Sequence, residues 1–158
     1  MPERASVHGG GQWRRLYVAE SDASKALGNP QLRAAYFAVT TPKRTDAGTD
    51  AKVTFRIAQW AQEFDGSLPG VFEQGTKHAV VFNFMKQPGH TVLLNGLRGY
   101  ILAVDHDNTG SHPGWYLENV ALYVLPVGSA DWVNYKEWKQ VGWLQSPKLG
   151  VILQDFDG

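Results

Sequence analysis

The chain predicts an all-β domain in which two sheets, together holding seven or eight short strands, pack face to face. Three observations carry that prediction. Short runs alternate apolar and polar residues with period two, as in Val53-Thr54-Phe55-Arg56-Ile57. Turn clusters separate these runs at regular spacing, drawing on seventeen Gly and eight Pro. No long apolar stripe with helical period appears, so strands must supply the core. At 158 residues the chain is one domain in size and long enough to bury that core.

In order, residues 1–33 read as an N-terminal extension and residues 34–158 as the sandwich. Gly9, Gly10 and Gly11 form a link, and Trp13, Leu16 and Tyr17 are apolar enough to pin a segment onto a neighbour. Ser21 or Asp22 is placed to N-cap one short helix running to Leu27, which Gly28 and Pro30 would stop. A β-rich run follows at 36–41, then a loop at 42–50. The alternating strand at 53–57 leads to a second, longer loop predicted over 59–75. Val80, Phe82 and Phe84 mark the inward side of the next strand, and a turn is expected at 87–89. Tyr100, Leu102 and Val104 share one face of a strand, with Ile101, Ala103 and Asp105 on the other. A polar loop then leads to a strand with Val120, Leu122 and Val124 on one face. Residues 132–153, rich in Trp and branched aliphatics, close the domain with one or two strands.

Composition excludes several functions. Fifteen basic and fifteen acidic residues cancel, so no global field attracts nucleic acid, and no nucleic-acid module signature occurs. The absence of Cys excludes disulfides, zinc ribbons and thiol catalysis. No export signal or run of about twenty apolar residues appears, which makes the default expectation a cytoplasmic protein. The five histidines, His8, His78, His90, His106 and His112, form no HExxH, and neither GxSxG nor a phosphate-cradling GxxxxGK[ST] is present. Asp105 and Asp107 stand two apart at a strand end with no cleft implied, a poor glycosidase pair. His106 and His112 lack a third strong zinc ligand. His106 shares the inward register of Leu102 and Val104, where a buried imidazole bonding a loop carbonyl is the commoner outcome. No enzyme is expected.

Three stretches, taken in order, carry a resemblance: DAGTDAKVTF at 46–55, FEQGTKHAVVF at 72–82 and LAVDHDNTGSHPGWYLENVALYV at 102–124. Together they resemble the PLAT domain of polycystin, lipoxygenase and alpha-toxin, also called the lipoxygenase homology domain. The closing WVNYKEWKQVGWL is similar to that family's last Trp-Leu strand. The resemblance covers about residues 34–144 and leaves the extension outside. It implies an eight-stranded antiparallel β-sandwich without catalytic residues, serving as an accessory module that docks on membrane lipid or a partner protein. Its oligomeric state is left open.

The resemblance also implies loop-bound calcium. Calcium takes six to eight oxygens from carboxylates, carbonyls and water. The positions matching that pattern are Asp46, Gly48, Thr49 and Asp50 in the DAGTD loop and Asp107 and Asn108 in the HDN loop, with Glu73 as a weaker candidate. The chain departs from the alpha-toxin pattern at Pro69-Gly70-Val71, where an acid is missing, and at Pro113, which stands where an Asp would be. At most one or two of the family's sites are therefore expected. The competing reading makes these Asp and Asn residues turn formers that bond nearby N–H groups. Trp60, Phe64 and Leu68 are the candidate membrane or partner contacts, with burial at a sandwich edge as the alternative. Trp115 reads as packing. The basic pairs Arg14–Arg15 and Lys43–Arg44 are candidates for phosphate contact or simple solvent-facing charge.

Overall fold

In the computed structural model, residues 14–16, 18–59, 62–69, 72–86, 91–111, 113–146 and 149–155 are described. Strand β1 (Arg14–Arg15) is followed by helix α1 (Asp22–Ala26), β2 (Leu32–Thr40), β3 (Lys52–Gln59), β4 (Gln62–Pro69) and β5 (Lys77–Asn83). A 3₁₀ turn (Phe84–Lys86), helix α2 (Leu94–Leu97), β6 (Ile101–His106), β7 (Trp115–Pro126), β8 (Val133–Leu144) and β9 (Gly150–Gln154) complete the order. One sheet runs β9-β6-β3-β4 with the two-residue β1 added parallel to β9, and the other runs β5-β2-β7-β8. The expected sandwich of eight antiparallel strands is thus the observed architecture, and β1 supplements it at one edge.

Period-two patterning fixes which faces meet. Phe37 and Val39 from β2, Val120, Leu122 and Val124 from β7, and Val53, Phe55 and Ile57 from β3 are buried between the sheets. Tyr100, Leu102 and Val104 join them, as their alternation predicts. Phe37 and Phe55 stack across the centre with centroids 5.1 Å apart, and Phe82 meets Phe37 edge-on at 5.8 Å. Each such ring contributes about 2–3 kcal/mol by leaving water.

The loop expected at 59–75 is corrected by the structure. Residues 62–69 form β4, hairpinned on β3 with Ile57 opposite Phe64 and Val53 opposite Leu68. Gly66 falls in the middle of this strand, where a Cβ would come within 2.5 Å of Val80 Cγ1. Bare backbone at that position lets the β4 edge close onto β5. Glu63, Asp65, Gly66 and Pro69 have poor strand propensity, and tertiary packing overrides it.

The N-terminal segment is stitched onto the sandwich. Ser21 caps α1, its Oγ accepting from Ser24 N at 3.0 Å, and Gly28 turns the chain at φ 75°. Ser21 N donates to the Tyr135 carbonyl of β8 at 2.9 Å. Glu20 takes Arg98 on both carboxylate oxygens, at 2.6 and 2.8 Å, and the guanidinium holds its carboxyl below the usual range. The linking Gly9–Gly11, Trp13 and Tyr17 lie outside the described residues, as do the turn at 87–89 and His8, His90 and His112. No helix among the described residues is long and apolar enough to cross a membrane.

Candidate functional site

At one end of the sandwich the β2–β3, β4–β5 and β6–β7 connections converge. The DAGTD loop between β2 and β3 is held at its base by backbone bonds to both neighbours. Thr49 N donates to the Phe72 carbonyl at 2.8 Å, and Tyr116 N donates to the Ala47 carbonyl at 2.8 Å. Gly48 packs so closely on residues 72–74 that a Cβ would stand 2.8 Å from the Phe72 oxygen. The β6–β7 loop approaches from the other side, where Asp107 N donates to the Lys52 carbonyl at 3.1 Å and Lys52 N donates to Asp107 Oδ1 at 3.1 Å.

Between these loops lies a cleft of about 560 Å³ lined by Asp46, Gly48, Thr49, Asp50, Glu73 and Trp143, among others. Five of the seven predicted metal residues therefore come together around one space. Asp107 and Asn108 sit in the adjoining loop. There Asp107 Oδ1 accepts from Thr109 N at 3.1 Å and from Thr109 Oγ1 at 2.5 Å, bonds that hold its carboxyl below the usual range. Asp50 Oδ2 accepts from Ser111 N at 2.9 Å and Ser111 Oγ at 3.2 Å. Thr49 Oγ1 donates to the Pro113 carbonyl at 2.7 Å and accepts from Ala51 N at 3.1 Å, so its hydroxyl braces the loop. Asp46 and Asn108 occupy the left-handed region at φ 60° and 59°, which Asp and Asn tolerate best among residues with a Cβ.

The Asp107–Thr109 bonds give the turn-forming reading a visible geometry at Asp107, while Asp50 instead bridges to the β6–β7 loop. Among the described residues no group of three acidic or histidine side chains is arranged to hold a metal. The residues lining the cleft nonetheless include Asp46, Asp50, Glu73 and Gly48, which carry the oxygen donors that a hard cation takes. A cation placed on Asp50 Oδ2 would compete with the two Ser111 bonds. Gly110 permits the present arrangement, since at φ 88° it lies against Asp50 and a Cβ there would meet that carboxyl at 2.5 Å.

The scaffold beneath the cleft is apolar and internally bonded. Trp115 is fully buried, packs 5.0 Å from Phe72 and donates Nε1–H to Thr41 Oγ1 at 2.9 Å, the packing role expected of it. His106 is also buried, on the inward register. Its Nδ1 accepts from Asn108 N at 3.0 Å, which leaves the proton on Nε2 to be donated to the Leu144 carbonyl at 2.7 Å. Burial keeps this imidazole below its ordinary pKa, so the neutral ring is the resident form.

Of the candidate contact residues in the 59–75 stretch, Phe64 takes the buried alternative. Phe64 is 6% exposed and meets Phe84 edge-on at 4.9 Å, and Leu68 packs against the core. Phe64 is thus buried, and Leu68 is partly buried. Trp60 lies outside the described residues. Sequence reasoning missed the exposed aromatic at this end, Trp143, which is 38% exposed beside Tyr116 at 5.2 Å. Simple alternation hides it, since Trp143 shares its period-two register with the buried Val141, and the break at Gly142, at φ 110°, leaves Val141 and Leu144 both inward.

No family model matches the chain, and no curated protein matches it. Solved structures do. The alpha toxin of Clostridium absonum is similar at 13% identity and TM-score 0.50, over 70% of this chain and 31% of that one. The alpha-toxin of an avian strain of Clostridium perfringens is similar at 16% identity and TM-score 0.50, over 76% of this chain and 33% of that one. Coral 8R-lipoxygenase matches at 17% identity and TM-score 0.49, over 77% of this chain and 16% of that one, a likeness too loose to argue from. The chain thus spans about a third or less of the length of these proteins. The alpha-toxin likeness is one of fold, and the fold expected from the DAGTD, FEQG and HDN stretches is the one observed, a PLAT-type β-sandwich.

Proposed function

We propose that this sandwich is a non-catalytic module that docks on a membrane lipid surface through its cleft end, with calcium as an optional bridge in the cleft. One observation carries the reading: the β2–β3 and β4–β5 loops converge to put Asp46, Asp50 and Glu73 around one open space. Carboxylates gathered at the open end of a sandwich suit a cation that would also draw anionic headgroups. An open loop site of this kind belongs to the weak range of about 10⁻⁴–10⁻³ M, so the compartment would decide its occupancy. Co-sedimentation with phosphatidylserine-containing vesicles, with and without calcium, tests the reading. Binding that calcium strengthens is expected, and no binding in either condition at excess lipid would sink it. Calorimetry with calcium on wild type and Asp50→Asn tests the metal separately, and equal heats would remove Asp50 as a ligand.

A second reading, a protein–protein module, is favoured by a different surface. On the outer face of the β5-β2-β7-β8 sheet, Tyr36 pairs with Val81 on one side and Tyr123 on the other. Tyr36 stacks on Tyr123 at 4.9 Å and meets the exposed Trp132 edge-on at 4.8 Å, and Val81 is 64% exposed. Light scattering across protein concentration tests for self-association through this face, and Trp132→Ser would be expected to abolish it. A strictly monomeric protein with no co-purifying partner counts against this reading.

A further inference from the structure

The cleft end also carries a cation seated on aromatic rings. Tyr116 and Trp143 lie opposite each other across β7 and β8, with ring planes at 80°. The Arg44 guanidinium, reaching from the loop after β2, stands 4.4 Å from the Tyr116 centroid and 5.6 Å from that of Trp143. Its backbone is anchored, for Arg44 N donates to the Pro42 carbonyl at 2.9 Å and Ala47 N to the Arg44 carbonyl at 3.2 Å. A guanidinium lying on an aromatic face is oriented by the ring quadrupole, while its in-plane N–H groups remain available to an acceptor. Among the described residues no carboxylate forms an ion pair with it, and Arg44 is exposed. Beside it the indole of Trp143 is partly exposed at the rim of the acidic cleft.

A fixed guanidinium fork suits a phosphate, which it takes through two parallel hydrogen bonds. An indole next to that fork suits the boundary between headgroup and acyl chain, where Trp partitions well. A phosphate free in solution would use the fork and leave the indole idle. A phospholipid surface uses both. The β3–β4 hairpin, the place expected for this role, has turned its described aromatic inward.

We infer that Arg44, Tyr116 and Trp143 form the lipid-facing corner of the module, Arg44 taking a phospholipid phosphate and Trp143 entering the headgroup layer, with Tyr116 holding both. The inference rests on the lipid-surface reading above and names its contact residues. The test uses the full chain and phosphatidylcholine–phosphatidylserine vesicles, with and without brominated acyl chains, at fixed calcium. Brominated vesicles should quench wild-type tryptophan emission, and Trp143→Phe should lose that quenching. Arg44→Gln should bind about fivefold more weakly, the loss expected for one basic contact at a membrane surface, with partial recovery in Arg44→Lys. Excess inorganic phosphate should leave wild-type binding in place; complete competition would assign the fork to a soluble phosphate and overturn the inference. If Trp143→Phe is quenched as wild type and Arg44→Gln binds equally well, the corner is wrong while the lipid reading stands. Failure of wild type to bind vesicles overturns both. Circular dichroism of the variants checks that these exposed positions leave the fold intact.

Discussion

His106 Nε2–H donates to the Leu144 carbonyl at 2.7 Å, a bond that joins the last residue of β6 in one sheet to the last residue of β8 in the other. It clamps the two sheets together directly beneath the cleft. A second hydrogen bond to the same ring, from Asn108 N, ties the β6–β7 loop to the clamp. Loop position and sheet packing therefore depend on one neutral imidazole.

That dependence has a pH signature. Burial depresses the His106 pKa below the model-peptide 6.5, so on acidification the unfolded chain takes up a proton before the folded one does. The stability this site contributes is complete above about pH 6.5 and is lost as pH falls through and below it. Urea unfolding should show a falling midpoint from pH 7.5 to about 5. His106→Gln should be less stable at neutral pH and flatter over that interval. An unchanged slope in the variant would remove His106 as its source.

Glu63 has the opposite sign. Burial and the neighbouring Asp65 carboxyl push it up to about 7, against 4.5 for the free group, and Arg56 at 3.9 Å compensates only in part. The folded chain holds this proton more tightly than the unfolded one, so stability declines as pH rises from about 4.5 to about 7. Glu63→Gln should be more stable than wild type at about pH 8 and nearly equal to it at about pH 4. Equal midpoints under alkaline conditions would contradict this.

Gly66→Ala should cost about 1–3 kcal/mol, because the new methyl meets Val80 and must force β4 away from β5. Val80→Ala should lose stability alone through its cavity yet relieve part of the Gly66→Ala cost. Strict additivity of the two in chemical denaturation would show that the contact is not the cause.

Gly110→Ala should be destabilising by about 1 kcal/mol or more, since the position has φ 88° and no space for a Cβ against Asp50. Because the methyl would displace the Asp50 carboxyl from Ser111, calcium heats should change along with stability. Unaltered heats would separate Asp50 from any metal in the cleft.

The strands from Leu32 onward were largely legible in the sequence because half-buried strands declare themselves by period two. Val53-Phe55-Ile57, Leu102-Val104 and Val120-Leu122-Val124 all face the core as their alternation demands. Strand β4 was not legible. Two acids, a Gly and a Pro hide an edge strand whose pairing comes from β3 and whose Gly is required by Val80, a residue fourteen positions away. The parallel pairing of β1 with β9 was equally invisible, since Arg14 and Arg15 carry no alternating pattern and meet Val151 and Ile152 from the far end of the chain.

Local chemistry in the sequence determined the turn residues: Asp46 and Asn108 at positive φ, Ser21 as cap and Gly28 as stop. It also determined that Asp46, Asp50 and Glu73 would lie in loops. Tertiary structure alone decided that those loops share one cleft, that Phe64 turns inward, and that Arg44 lands on Tyr116 and Trp143. The physical reason is range. Backbone conformation and alternation are set by residues a few positions apart, whereas each of these outcomes needs strands tens of residues apart to be packed in register first.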